Sequence, residues 1–237
     1  MSPNRLAVIP ARGGSKRIPN KNIREFSGKP IISYIINAAK ESGLFSKIHI
    51  STESDEIANV AAMCNYCPDF KRPRNLADDH TPIMPVLQYV VAEYAKRGFI
   101  FDQIWLLMAC SPLVGAHDLI KAEDMFRQHG SQAPLQAVSE YPVPVDWAFN
   151  LDPSGLLRPV SPGMFAARSQ DLPKRYFDAG AFTVYPSSWV VDSVGAGTNE
   201  NFYGYVLPKW TAVDIDDEAD WRFLEKVYSA NSLNKNI

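Results

Sequence analysis

Along the chain, short apolar runs alternate with stretches whose apolar residues recur every three or four positions, and capping residues mark each change of period. RLAVIP, from Arg5, predicts a first strand. A loop rich in Gly, Lys and Arg follows, and Pro30, with its fixed φ and missing N–H, suits the first position of a helix that stops at Gly43. Residues 47–52 predict a second strand. Ser54 can cap a helix that puts Ile57, Val60, Ala61 and Cys64 on one face, and Pro82 opens another through Val86, Tyr89, Val90 and Tyr94 to Gly98. QIWLLMA, residues 103–109, has the near-continuous apolarity of a central parallel strand covered on both faces, and residues 116–129 predict a helix ended by Gly130. From about 137 to 175 the rhythm breaks at Pro142, Pro144, Pro153, Pro159, Pro162 and Pro173, which predicts an inserted lobe. The α/β pattern resumes at 180–185, 204–207 and 211–215. A last helix carries Trp221, Leu224, Val227 and Tyr228, and residues 231–237 are expected to fray.

Strands alternating with helices predict a single α/β domain over residues 1–237, with a mostly parallel central sheet, right-handed crossovers and a site in the loops after the strands. Composition agrees with a packed fold: 46% of the 237 residues are hydrophobic and 21% charged. A net charge of −2 gives no general field for nucleic acid or acidic membranes, so neither partner is expected. The longest strongly apolar run, Ile104 to Cys110, is far short of a membrane span, and the opening apolar stretch runs directly into Arg12 without a secretory pattern. A cytoplasmic setting is expected. The distribution of charge says more than its sum. The first 30 residues hold seven basic side chains against one acid, Glu25, so the remainder is acidic by eight.

Four segments could carry chemistry. The first, Ala11-Arg12-Gly13-Gly14-Ser15-Lys16, continuing to Lys21 and Asn22, follows the first strand directly. Its glycines let backbone N–H groups approach an anion, and Arg12, Lys16 and Lys21 surround it with the charge a polyphosphate needs. Neither a Walker A loop nor G-x-G-x-x-G is present, and the alternative is a solvated basic loop. In the second, Asp214 and Asp216 on a strand would point the same way and share a hard cation while Ile215 enters the core. Asp217, Glu218 and Asp220 cap the last helix; alternatively, all five acids serve its start. In the third, Arg168 and Gln170 precede Tyr176 and Asp178, a donor set suited to an acidic sugar, with a structural salt bridge as the alternative for Arg168. In the fourth, Lys71 to Thr81, Arg72 could reach a base or a phosphate, or the segment is only a polar loop. No nucleophile–base pair stands out, the four histidines lack metal spacing, and Cys64 and Cys67 have no second cysteine pair to complete a zinc site.

At IPARGGSKRIPNKNI the chain resembles the cytidylyltransferases that activate nonulosonic acids, the family of CMP-sialic acid synthetases. The resemblance covers nearly the whole chain and continues in order through RPRNLADDHT, Ser111-Pro112-Leu113, RSQDLPKRYFDAGAF and DIDDEADW. The RSQDL and DAG stretch is most similar to the pseudaminic acid branch. MACSPLV, from Met108 to Val114, stands where sialic acid synthetases tend to carry Gln-Pro-Thr-Ser-Pro-Leu-Arg. The resemblance implies a Rossmann-like nucleotidyltransferase fold, CTP as donor, a nonulosonic acid as acceptor, Mg²⁺, and a homodimer whose inserted lobe completes the partner's site. It implies that Arg12, Lys16 and Lys21 act on the triphosphate and that Asp214 and Asp216 bind Mg²⁺. Ala11, Gly13, Gly14, Ser15, Asn22, Arg72 and Asp79 would help hold the nucleotide. Ser111, Arg168, Gln170, Tyr176 and Asp178 would face the sugar. A sialic, legionaminic or octulosonic acid enzyme and a nucleotide-binding regulatory protein are the alternatives.

Overall fold

The computed structural model describes residues 3–198 and 200–234. The chain begins with β1 (Arg5–Pro10), β2 (Glu25–Phe26), β3 (Lys29–Pro30), α1 (Ile32–Ser42), β4 (Lys47–Ser51), α2 (Asp55–Met63) and α3 (Ile83–Lys96). It continues through β5 (Gln103–Leu107), α4 (Ala116–Gln128), β6 (Leu135–Glu140), β7 (Phe149–Leu151) and β8 (Leu157–Pro159). It closes with β9 (Tyr176–Pro186), α5 (Ser187–Asp192), β10 (Tyr203–Val206) and α6 (Glu218–Asn234). No helix among the described residues is long and apolar enough to cross a membrane.

Six strands form one sheet in the order β10-β6-β9-β5-β1-β4. β1 pairs in parallel with β4 on one edge and β5 on the other, β10 pairs in parallel with β6, and β9 runs antiparallel between β5 and β6. The sheet is thus mostly parallel, with β9 as its reversed strand. Because β1 is covered on both faces, both of its side-chain sets are apolar. Ala7 and Ile9 pack with α1, α2 and α4, while Leu6 and Val8 pack with α3 and α5.

Most elements lie where the pattern predicts them, and the departures have physical causes. Helix α1 starts at Ile32 because Pro30 is held in a hairpin opposite Glu25, whose turn residues Ser27 (φ 47°) and Gly28 (φ 82°) are both left-handed. Its end is as expected, with Gly43 at φ 63° returning its N–H to the Lys40 carbonyl. The strand at 103–109 stops at Leu107, and one of its neighbours is antiparallel. β6 extends through Glu140, so the chain leaves the sheet later than residue 137 and returns at Tyr176. Residues 211–215 form no strand. Helix α6 runs through Asn234, so 231–234 are helical, while 235–237 lie outside the described residues.

A third apolar cluster lies outside the two sheet faces. Ile18, Phe26 and Ile31 meet Ile215, Trp221 and Leu224, with the Phe26 and Trp221 rings 5.7 Å apart edge to face. Burying a side chain such as Ile18 is worth about 1.5–3 kcal/mol, so this cluster holds the basic loop against the acidic segment that opens α6.

His49, on β4, is buried with neither ring nitrogen hydrogen-bonded, and its ring stacks on Phe70 at 4.2 Å. Burial pushes its imidazole down to about 4, against the opposing pull of Asp69. Below about pH 6.5 the unfolded chain takes up a proton that the folded chain refuses until about pH 4, so stability is lost as pH falls through that window, by up to about 3 kcal/mol. Urea unfolding at about pH 7 and about pH 5 should therefore show about 2 kcal/mol less pH-dependence in His49→Phe than in the parent, and equal dependence in both would refute the assignment.

Candidate active site

Because β1, β4 and β5 are parallel, their carboxyl ends open on one edge of the sheet, and the loops beyond them build a cleft of about 530 Å³. The pairing of β1 with β4 continues one residue past the strand, where the Ala11 N–H donates to the Ser51 carbonyl at 2.9 Å. Ala11 is itself buried beneath the loop. The Gly13 N–H then donates to Glu53 Oε1 at 2.8 Å. A Cβ on Gly13 would lie 3.2 Å from the Cβ of Ser54, the cap of α2, a tight contact that glycine avoids. Farther along, Asn22 Nδ2 donates to the Arg12 carbonyl at 3.0 Å and Lys21 Nζ to the Ile215 carbonyl at 2.7 Å. The loop is folded back on itself, with Ile18 buried beneath it.

Arg12, Ser15, Lys16, Lys21, Asn22 and Arg72 line the cleft together with Asp79 and Asp216. Gly13 and Gly14 shape its loop without lining it. Arg12 pairs with Asp79 Oδ1, and Lys16 Nζ lies 2.6 Å from Asp79 Oδ2. The Lys16 ammonium, followed by the Arg12 guanidinium, holds the Asp79 carboxyl down at about 2. Arg72 is buried and braced, Nε donating to Ser51 Oγ at 3.0 Å and Nη2 to the Ser51 carbonyl at 2.5 Å. Burial pushes its guanidinium down to about 10, against the attraction of Glu53, so it still carries its charge at neutral pH. Cations from two separate sequence segments, the loop after β1 and the stretch around Arg72, thus meet in one place.

The acidic segment divides its labour. Asp217 Oδ1 accepts from the Ala219 and Asp220 N–H groups, and Asp220 Oδ2 accepts from those of Asp216 and Asp217, which closes the start of α6. Glu218 pairs with Arg24 at 2.5 Å. Asp216 faces the cleft and pairs with Arg17 at 2.8 Å. Asp214 lies against Gly180, whose left-handed φ of 59° favours glycine at this position. The strand expected to align Asp214 and Asp216 is absent, because the chain here follows buried Ile215 into the third cluster rather than a sheet edge. Among the described residues no three His, Cys, Asp or Glu side chains converge as a ready-made metal cage.

The residues expected to face a sugar separate into two groups. Ser111 Oγ donates to the Gly180 carbonyl at 3.4 Å, and Asp178 Oδ1 accepts from the Gly180 N–H at 2.9 Å. They join Asp214 around Gly180, and Cys110, next to Ser111, reaches Asn22 Oδ1 at 3.4 Å on the cleft side. Tyr176 is exposed opposite Glu140, where β9 begins. Arg168 and Gln170 do not line the cleft. Arg168 makes a two-pronged contact with Asp171 at 2.7 and 3.2 Å, the structural pairing weighed as its alternative, and Gln170 borders a separate hollow with Tyr141 and Lys174. Glu53, Asp78 and Met108 were not anticipated. Glu53 could have been found from its place just past the second strand, Asp78 from its place beside Asp79 in RPRNLADDHT, and Met108 from its place at the head of MACSPLV.

A family model described as cytidylyltransferase matches residues 6–97, from β1 through α3. A pseudaminic acid cytidylyltransferase of Campylobacter jejuni is 36% identical over 227 residues, covering 95% of this chain and 97% of its own length. The chain belongs to the cytidylyltransferase family. A CMP-N,N'-diacetyllegionaminic acid synthase of Legionella pneumophila is 29% identical, with 95% and 97% covered. A CMP:2-keto-3-deoxy-manno-octonic acid synthetase solved with CTP shares the fold, with a TM-score of 0.68 at 14% identity over 96% of this chain and 99% of that one.

In this cytidylyltransferase Arg12 is the cation that the first strand delivers to the cleft. Replacing it with Ala should lower kcat/KM by about 3 kcal/mol, the cost of losing one preorganised donor, and steady-state kinetics will check it. A loss below about tenfold would make Arg12 peripheral to the reaction.

Proposed function

We propose that the enzyme activates pseudaminic acid by transferring CMP from CTP to its anomeric hydroxyl, with release of pyrophosphate. The observation that carries this reading is the convergence of Arg12, Lys16, Lys21 and Arg72 in one cleft at the carboxyl ends of parallel strands, in a chain 36% identical to a pseudaminic acid cytidylyltransferase. The sugar oxygen forms a bond to the α-phosphorus, the bond from that phosphorus to the bridging oxygen breaks, and the hydroxyl proton is released. Negative charge grows on the departing pyrophosphate, and the role of Arg12, Lys16 and Lys21 is to hold and stabilise it. Phosphoryl transfer is mainly positioning and electrostatics, so a site built from cations without a strong nucleophile suits it. Val114 is buried in the core where sialic acid synthetases tend to carry an arginine, which favours a different nonulosonic acid.

Asp216, which faces the cleft, and Asp214, which lies against Gly180, carry hard oxygen donors that with triphosphate oxygens and waters would match the ligand preference of Mg²⁺. Bound there, Mg²⁺ would neutralise triphosphate charge. The reading includes a cytoplasmic homodimer. Its support is three free cysteines and a row of exposed apolar side chains on residues 141–175, among them Leu151, Leu157 and Phe165. In such a dimer Arg168 and Gln170 would serve the partner's cleft.

Pyrophosphate release from CTP should depend on pseudaminic acid in a panel that includes legionaminic, N-acetylneuraminic and 3-deoxy-octulosonic acids; no turnover with any member would sink the proposal. Asp216→Ala should abolish Mg²⁺-dependent turnover while leaving the circular dichroism and melting profile close to the parent's. Parental activity in that variant would remove Asp216 from the metal site.

A further inference from the structure

Asp79 occupies the cations that the triphosphate is assigned. Its two carboxylate oxygens are divided between Arg12 and Lys16, whereas Lys21 donates to the uncharged Ile215 carbonyl. The contact is built rather than incidental. Asp78 Oδ1 accepts from the His80 N–H at 2.8 Å, the Thr81 N–H at 2.6 Å and the Thr81 hydroxyl at 2.9 Å, and this closed turn presents the next carboxylate to the cleft. Each N–H held by the carboxylate is lost to a phosphate oxygen, and the negative charge of Asp79 offsets the pull of both cations on a phosphate, so the two uses of Arg12 and Lys16 compete.

We propose that Asp79 is an internal anion that sets the charge threshold of the cleft, so that a ligand must carry several negative charges to displace it from Arg12 and Lys16. The device selects the triphosphate and pyrophosphate groups over singly charged ones such as a sugar carboxylate. The proposal rests on the cytidylyltransferase reading for the identity of the ligand, but its logic needs only a polyvalent phosphate. The side chains of Asp79 and Arg12 are 30% and 35% exposed, and ion pairs so open to water are weak. A group bearing three or four charges can therefore displace the carboxylate, and Lys21 offers it a first foothold. A monoanion brings no more charge than the carboxylate it would replace.

Calorimetric titration of inorganic pyrophosphate into the full chain and into Asp79→Asn tests this. At low salt the variant should bind pyrophosphate about three- to tenfold more tightly, and the difference should shrink at high salt as screening weakens both competitors. Asp79→Ala should behave alike, which guards against an asparagine that keeps the contacts. Unchanged affinity in both variants would overturn the proposal. Weaker affinity would also overturn it, by showing that Asp79 positions Arg12 and Lys16 for phosphate. Should the parent bind pyrophosphate but not CTP, the proposed function fails while the comparison of pyrophosphate affinities still decides the role of Asp79.

Discussion

Strand β1 is buried on both faces and hydrogen-bonded along both edges to parallel neighbours, and that one constraint places the site. Parallel pairing sends three chain reversals to the same edge of the sheet. The chain first steps from β1 to β4 and then crosses back to β5 on the opposite side of β1, so the loops diverge and leave a crevice between them. The loop that emerges there carries Arg12, Lys16 and Lys21, and Arg72 returns to the same edge by hydrogen-bonding to Ser51 at the end of β4.

Gathering cations raises an electrostatic cost, and the structure meets it with neighbouring acids. Asp79 neutralises Arg12 and Lys16, Asp216 pairs with Arg17, Glu218 with Arg24, and Glu53 sits near Arg72. Most of these pairs are exposed and weak, so they compensate charge without locking it, which suits a cleft that must exchange its partners for a triphosphate. The third apolar cluster makes this arrangement possible. Ile18 on one segment and Ile215 on the other are anchored in the same apolar pocket, and their polar neighbours are carried into contact.

Much of this was legible along the chain. The capped helices, the apolar strand at 103–107 and the glycine-bearing basic loop after β1 all rest on local rules of period and backbone freedom. The misplaced features depend on competition between neighbours. Pro30 suits a helix start by its φ, but the Ser27-Gly28 turn claimed it for a hairpin. The alternation of Asp214 and Asp216 around Ile215 predicts a strand, yet burial of Ile215 alone satisfies that pattern without one. Arg168 and Gln170 sit on a projecting segment whose reach no local pattern describes.

The sequence by itself determined the alternation of strands and helices, the strand that leads into the basic loop and the family to which the chain belongs, because each is written in short-range periodicity or contiguous motifs. Only the tertiary structure decided which charges meet. Asp79 lies 67 residues from Arg12 and Lys21 lies 194 from Ile215, and such contacts exist only after the sheet order and the third cluster have closed the intervening chain. Coulomb attraction between exposed side chains is too weak to organise that closure, so the apolar packing comes first and the polar site is its consequence.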